Sequence, residues 1–248
     1  MKFLVHGAKG RMGQNIILAL QKMPDNPEII PVDIAYKQEK QAGTYGDIFE
    51  VNEKVDVIID FSHHLTTKAV TDYAVKTNTP LVLCTTGQTE EEKEMIIKAS
   101  KSVAVFYSGN MSVGIATLSK AVKTVVSAMK NAEIEIVEVH HDKKLDSPSG
   151  TALMLASAVK EVRPDMSVLT GRNGYQPKDK NEIGISSIRY GNIVGIHEVI
   201  IATETETITL KHEAHTRAVF ADGAVTAGYY LCGKTAGLYD MKKLLGDN

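Results

Sequence analysis

A glycine-spaced turn between a short apolar run and a helix-periodic segment constrains this chain more than any other feature. Phe3-Leu4-Val5 reads as a buried strand, and Met12, Ile16, Ile17 and Leu20 recur at helical spacing. Between them lies Gly7-Ala8-Lys9-Gly10-Arg11-Met12-Gly13. Glycine lets the backbone turn tightly and approach a pyrophosphate, and a following helix N-terminus offers N–H groups to its charge. The spacing is G-x-x-G-x-x-G rather than G-x-G-x-x-G, so the glycines alone also fit a plain turn. Asp33 tips the balance: it closes a second strand expected over 28–33, about 20 residues beyond the glycines, where an acid can hold ribose hydroxyls.

The alternation continues to about residue 110. Further strands are expected over 55–60, 81–84 and 103–107, a helix over 65–76, and another opening at Thr89 with Glu92 placed for a capping box. Pro31 weakens the second strand, because a central strand needs the donor that proline lacks. Strands alternating with helices predict an α/β, Rossmann-like, doubly wound parallel sheet. Loops at the carboxyl ends of its strands would line the nicotinamide half of a dinucleotide site. They are 61–64, then Cys84-Thr85-Thr86-Gly87, then Ser108-Gly109-Asn110-Met111; each also fits a plain turn. Asp33 favours NADH by repelling a 2′-phosphate, whereas Lys9, Arg11 and Lys37 could offset that repulsion, so NADH or NADPH stays open.

Beyond that point the pattern changes. A long helix (115–130) leads into Glu133-Ile134-Glu135-Ile136-Val137-Glu138-Val139-His140, whose near-alternation suits a strand with one wet face. A helix follows from about Gly150, and 183–190, 193–202 and 205–212 read as successive antiparallel strands. This predicts a second, α+β domain with a mostly antiparallel or mixed sheet, and such a sheet is where oligomer contacts would lie. The expected division is 1–111, completed by 222–248, for the dinucleotide and 112–221 for substrate and oligomerisation.

The stretch from Glu138 to Ala152 concentrates titratable residues at a strand end and small ones at a helix start. Ser149-Gly150-Thr151 would present N–H and hydroxyl donors to a carboxylate, Lys144 would add charge, and a histidine can give or take a proton near neutrality. The same residues admit a plainer reading as a helix cap beside solvated histidines. A metal on His140, His141 and Asp142 is disfavoured because adjacent strand residues point to opposite faces.

A net charge of −2 gives no reason to expect nucleic acid or a membrane surface as partner, so an anionic substrate needs a local positive site. Cys84 and Cys232 have no metal or redox spacing and read as buried thiols. The first residues lack a signal peptide's long apolar region, and no run approaches the roughly 20 residues of a membrane span. A cytoplasmic protein is expected.

The residues also carry a resemblance. The chain resembles the 4-hydroxy-tetrahydrodipicolinate reductase (dihydrodipicolinate reductase) family of bacterial lysine biosynthesis, essentially end to end. The match rests on 7–13, on E-x-H-H-x-x-K-x-D-x-P-S-G-T-A from Glu138 to Ala152, on Phe220-Ala221-Asp222-Gly223-Ala224 and on Gly237-Leu238-Tyr239-Asp240-Met241. It implies a Rossmann domain completed by the last segment, a second sheet domain that builds a homotetramer, and reduction of a small dicarboxylate with NADH or NADPH. By matching positions His140 would be the proton donor and Lys144 the catalytic lysine. His141, Lys144, Ser149, Gly150 and Thr151 would hold the substrate carboxylates. Gly7, Ala8, Lys9, Gly10, Arg11, Met12, Asp33, Cys84, Thr85, Thr86, Ser108, Gly109, Asn110 and Met111 would contact the nucleotide. Three positions depart from the family pattern: Cys84 opens a loop that usually begins with glycine, Asn192 and Ile196 replace acids, and Ile34 stands where arginine is frequent.

Overall fold

The structure is a computed structural model and describes residues 1–39 and 41–246; Asp247 and Asn248, the last positions of the expected 222–248 segment, lie outside the described residues. In chain order it runs β1 (Lys2–His6), α1 (Arg11–Leu20), β2 (Glu28–Val32), β3 (Val57–Asp60), α2 (Thr67–Thr77), β4 (Leu81–Leu83), α3 (Glu90–Ser100) and β5 (Ala104–Tyr107). Then come α4 (Val113–Ala128), β6 (Glu133–His140), α5 (Gly150–Val162), β7 (Ser167–Thr170), β8 (Glu182–Arg189), β9 (Gly195–Ala202) and β10 (Thr207–Ala214). The last elements are α6 (Ala218–Leu231), β11 (Gly237–Tyr239) and α7 (Met241–Leu244). Two compact units result: Met1–Val113 together with the stretch from Arg217 onward, and Gly114–Thr216.

The first unit holds a six-stranded sheet in the order β11-β5-β4-β3-β1-β2, every neighbouring pair parallel. Period-2 alternation divides its apolar side chains between two helical layers. Leu4, Ile58, Leu81, Leu83 and Val105 pack with Val70, Tyr73, Ile96 and Ala99 of α2 and α3. Phe3 and Phe106, on the other face, meet Tyr229 and Tyr230 of α6. With each large aliphatic contributing about 1.5–3 kcal/mol on burial, the two layers hold the sheet rigid. Thr89 and Glu92 close the expected capping box at the start of α3. Pro31 lies on the edge strand, where a missing donor is tolerated. Chain order reverses at β1, so the carboxyl ends of β1 and β3 flank the switch point at which such sheets take their ligands.

The second unit is a five-stranded mixed sheet, β10-β9-β6-β8-β7. One face is covered by α4 and α5 through Leu118, Val122, Val126, Leu155 and Val159 packing on Ile134, Ile136, Ile183, Ile185, Val199 and Ile201. Two expectations fail here. Segments 183–190 and 193–202 are not antiparallel neighbours: β6 lies between them, parallel to β8 and antiparallel to β9. That order lets Ile134 and Ile136 meet Ile183 and Ile185 on one side and Val199 and Ile201 on the other, which a local hairpin would not. The polar residues of the 133–140 strand also do not all lie on its more open face, because Glu138 and His140 share the covered side with Ile134 and Ile136 and are buried. A third correction concerns Cys232. It is exposed rather than buried, because it caps the end of α6; Cys84 is buried. No helix of the described residues is long and apolar enough to cross a membrane.

Candidate active site

The glycine turn joins β1 to α1. Gly7 has φ +83°, and its N–H and that of Ala8 both donate to the Val32 carbonyl, tying the turn to β2. A Cβ at Gly13 would lie 2.1 Å from the Gly7 carbonyl oxygen, and one at Gly7 would lie 2.7 Å from that of Phe61. Only glycine lets these backbones pack so closely. Gly10 is the N-cap of α1 and brings no side-chain acceptor, so no side chain caps the first N–H groups of the helix. Such a cradle fits a pyrophosphate. Arg11 is exposed at the first helical position and Met12 is half-buried beside it.

Asp33 follows β2 directly. Its carboxylate accepts the N–H of Lys9 at 2.9 Å and that of Ala35 at 3.0 Å, which fixes it beside the glycine turn. The Lys9 ammonium pairs with Glu39 and stands 5.2 Å from the centre of the Tyr36 ring. Lys37 pairs with Asp47 at 3.5 Å, and Ile34 is 76% exposed.

A buried carboxylate, Asp60 at the end of β3, organises the neighbouring loops. It accepts from Thr85 Oγ at 2.6 Å, Ser62 Oγ at 2.5 Å and His6 Nδ1 at 2.7 Å, while Ser62 N–H donates to Thr85 Oγ. Thr85 is therefore an internal brace, whereas Thr86 is exposed. The Cys84 thiol is buried and burial pushes its pKa well up, so only its backbone is placed to serve a ligand. Ser108 Oγ donates to the Asn110 carbonyl at 2.7 Å; Gly109 is exposed and Met111 buried.

In the second unit, Glu138 is the centre of the constellation. Its side chain is fully buried and forks with Arg189, at 2.6 and 2.9 Å. It also accepts from the Ser149 N–H at 3.1 Å and from His140 Nδ1 at 2.5 Å. Burial by itself would raise the Glu138 pKa, but hydrogen bonds from Arg189, Ser187 and His140 outweigh it and bring it down to about 2. His140 moves below the ordinary histidine value, burial foremost, with the charges of Lys144 and Arg189 adding to it against the opposing pull of Glu138. His197 lies 3.1 Å from Ser149 Oγ and edge-on to His140, with ring centres 5.1 Å apart. Burial, aided by His140, lowers the His197 pKa to about 3. It is a neutral imidazole in the working range.

Ser149 caps α5 by accepting the Ala152 N–H, with Gly150 and Thr151 in the first turn behind it. Lys144 Nζ lies 2.8 Å from Asp146 Oδ1; burial by itself would raise the Asp146 pKa, but Lys144 and neighbouring backbone N–H groups, that of Gly150 among them, lower it. That ion pair already holds a carboxylate just ahead of the helix N-terminus. His141 is half-buried, its N–H donating to the Ile193 carbonyl. Gly195, on β9, would set a Cβ 3.0 Å from His140 Nε2.

Thus His140, Lys144, Ser149, Gly150 and Thr151 come together within one unit, and the nucleotide-type residues within the other. Sequence reasoning missed Arg189, His197, Gly195 and Asp60. Donor atoms of Glu138, His140 and His197 lie within 4.8 Å of one another, a spacing that metal sites share. Both Glu138 oxygens are engaged by the Arg189 guanidinium, however, and a second cation there would meet that charge. The cluster suits protons better than a metal.

Comparison with known proteins gives the family of the chain. Residues 1–111 match the family description "Dihydrodipicolinate reductase, N-terminus" and residues 114–245 match "Dihydrodipicolinate reductase, C-terminus". The chain is 40% identical over 247 residues to the 4-hydroxy-tetrahydrodipicolinate reductase of Clostridium novyi, covering 98% of each. It is 41% identical over 249 residues to that of Caldanaerobacter subterraneus subsp. tengcongensis, covering 99% of this chain and 98% of the relative. Among solved structures, a dipicolinate-bound dihydrodipicolinate reductase from Paenisporosarcina sp. TG-14 shares the fold with TM-score 0.80 at 22% identity, over 97% of each chain. An aspartate dehydrogenase from Thermotoga maritima superposes with TM-score 0.52 at 15% identity, covering 94% of this chain and 97% of the other. With both domain descriptions matched across nearly its whole length, the chain belongs to the dihydrodipicolinate reductase family.

Proposed function

We propose that this protein reduces 4-hydroxy-tetrahydrodipicolinate (dihydrodipicolinate) to tetrahydrodipicolinate with a nicotinamide dinucleotide, in the cytoplasmic synthesis of diaminopimelate and lysine. The observation that carries the reading is the Asp146 carboxylate paired with Lys144 just ahead of the first turn of α5. A site that holds one carboxylate in this way is built to hold a substrate's. Lys144 and the first turn of α5, with Ser149, Gly150 and Thr151, bind and orient the dianion, and His141 lies on the same loop. His140 Nε2 gives the proton, while Nδ1–H is committed to Glu138. Bound nicotinamide supplies the hydride; Gly7, Ala8, Lys9, Gly10, Arg11, Met12, Asp33 and the 84–86 and 108–111 loops would hold the dinucleotide.

NADH is the preferred donor in this reading. Asp33 repels a 2′-phosphate, and of the three cations that could offset it, Lys9 and Lys37 are paired with Glu39 and Asp47, while Arg11 stands exposed at the start of α1. The exposed Ile34 offers a phosphate nothing. The working form is a homotetramer, with the uncovered face of the five-stranded sheet as its interface. The test is a coupled assay with enzymatically generated substrate, run with NADH and NADPH in parallel on wild type and His140→Gln. Turnover with the higher kcat/KM for NADH is expected, together with a His140→Gln loss in kcat of roughly 10²-fold or more at unchanged NADH affinity. Absence of turnover with either cofactor, or full activity in His140→Gln, contradicts the assignment.

A further inference from the structure

We infer that Glu138, held by Arg189, is the positioning residue that fixes the tautomer of His140, and that Gly195 keeps the opposite nitrogen of the ring open to substrate. The inference rests on the proton-donor role proposed for His140 and names what makes that role possible.

The argument begins with strand parity. Across the sheet, His212 of β10, His197 of β9, Glu138 of β6 and Ser187 of β8 lie in register as one polar row on the helix-covered face. The adjoining row brings His140 beside Arg189. A carboxylate on that face is costly unless its oxygens are fully engaged, and here Arg189, Ser149 and His140 all donate to it, with Ser187 adding its support. Arg189 forks onto both oxygens, Ser149 N–H takes Oε1, and the acceptor left for His140 is Oε2. An ionised carboxylate only accepts. The hydrogen on His140 must therefore sit on Nδ1 in the neutral ring, so Nε2 carries the lone pair or, in the cation, the transferable proton.

Nε2 makes no hydrogen bond among the described residues and faces Gly195, whose missing Cβ would have stood 3.0 Å away. The charged or titratable groups acting on His140 are Glu138 on its own strand, Arg189 on β8, His197 on β9, with His212 behind it, and Lys144 from the following loop. Only Glu138 among them favours the cation. Removing its charge must lower the histidine pKa further and move the basic limb of kcat to lower pH.

Glutamine at 138 makes a sharp probe. Its one carbonyl is drawn to Arg189 and Ser149, the two donors at Oε1, which turns the amide NH₂ toward His140. The ring must then accept at Nδ1 and carry its hydrogen on Nε2. The experiment is ¹⁵N NMR of histidine-labelled protein, with His140 identified by its loss in His140→Gln, alongside pH profiles of kcat. Wild type is expected to show the Nδ1–H tautomer once His140 is neutral, and Glu138→Gln the Nε2–H tautomer. Glu138→Gln should also lower kcat by about 10²-fold and shift the basic limb to lower pH, with NADH affinity intact. Gly195→Ala should lower kcat by up to about 10²-fold with the Nδ1–H tautomer and the limb unmoved. An Nε2–H tautomer in wild type, or a Glu138→Gln profile lowered but unshifted, overturns the inference. If Glu138→Gln does not fold, the wild-type spectrum and Gly195→Ala decide between the same alternatives. A fully active His140→Gln would instead overturn the donor role while leaving the tautomer assignment standing.

Discussion

Buried histidines in the second unit make its stability a function of pH, and the sign follows from burial. His197 is held neutral with its pKa lowered to about 3, whereas in the unfolded chain it titrates near its ordinary 6.5. Protons therefore bind the unfolded chain first. The stability this group contributes is complete above about pH 6.5 and drains as pH falls toward 3, at up to about 1.4 kcal/mol per pH unit. His140 and His212 are lowered by burial in the same sense, and Glu138, brought to about 2, extends the loss below pH 4.5. Urea unfolding at pH 7.5 and 5.5 should show stability falling with acid, and His197→Gln, whose amide can still reach Ser149, should reduce that difference. An equal difference in the variant would show that His197 is not the group responsible. This residue lay in the sequence as part of an ordinary-looking strand, Gly195 to Ala202, and nothing local marks it. Glu138 and His140 were more legible. In Glu-Ile-Glu-Ile-Val-Glu-Val-His, valine takes the place where alternation demands a polar residue, so the next glutamate falls on the apolar face. That break in period is the trace of a buried charge. Its partner Arg189 is 51 residues away and has no such trace.

At the level of elements, the most legible part of the chain was the strand–turn–helix at the N-terminus, because there the chemistry is local. Gly10 and Gly13 answer to contacts within six residues, although Gly7 also meets Phe61, and the capping box of α3 answers to contacts within three. Gly13→Ala tests the turn. Its Cβ would lie 2.1 Å from the Gly7 carbonyl oxygen and 2.8 Å from Ala8 Cα, so the turn must open and the start of α1 must swing away from the pyrophosphate cradle. A rise in the NADH Kd of at least about tenfold (~1.4 kcal/mol) is expected from fluorescence titration, with affinity for a pyridine dicarboxylate unchanged. Unaltered NADH binding would detach the glycine turn from the cofactor. Pairing in the second sheet was less legible because it is not local. The Tyr190–Val194 link reads as a hairpin, yet β8 and β9 flank β6, and what decides this is where Ile134, Ile136, Ile183 and Ile185 can all be covered at once. β7, four mostly exposed residues on the sheet edge, has too little apolar content to announce itself.

For the whole molecule, the strand that completes the first sheet returns from the far end of the chain: β11 is only Gly237–Tyr239, and no three-residue pattern could have declared its pairing with β5. The other large-scale feature is the sheet of the second unit, whose helices cover one face only. On the opposite face Val137, Ile196 and Ile200 are half-buried and Ile188 is 45% exposed, flanked by the Glu198–Lys211 ion pair. Single apolar residues on a surface need no explanation, but a row of them on one face of a regular sheet does. Two such faces packed about 10 Å apart, as in a sandwich, would bury both rows and leave the flanking charges at the rim. A face that pairs with its own copy closes about a two-fold axis, and a second pairing of such dimers would give the proposed tetramer. Light scattering on the eluting protein should therefore give four times the 27.0 kDa chain mass. Ile200→Lys places an ammonium in the middle of that face and should yield a smaller species that still binds NADH, because the glycine turn belongs to the other unit. A wild-type mass of one chain, or a tetramer unmoved by Ile200→Lys, would mean that the face serves some purpose other than assembly.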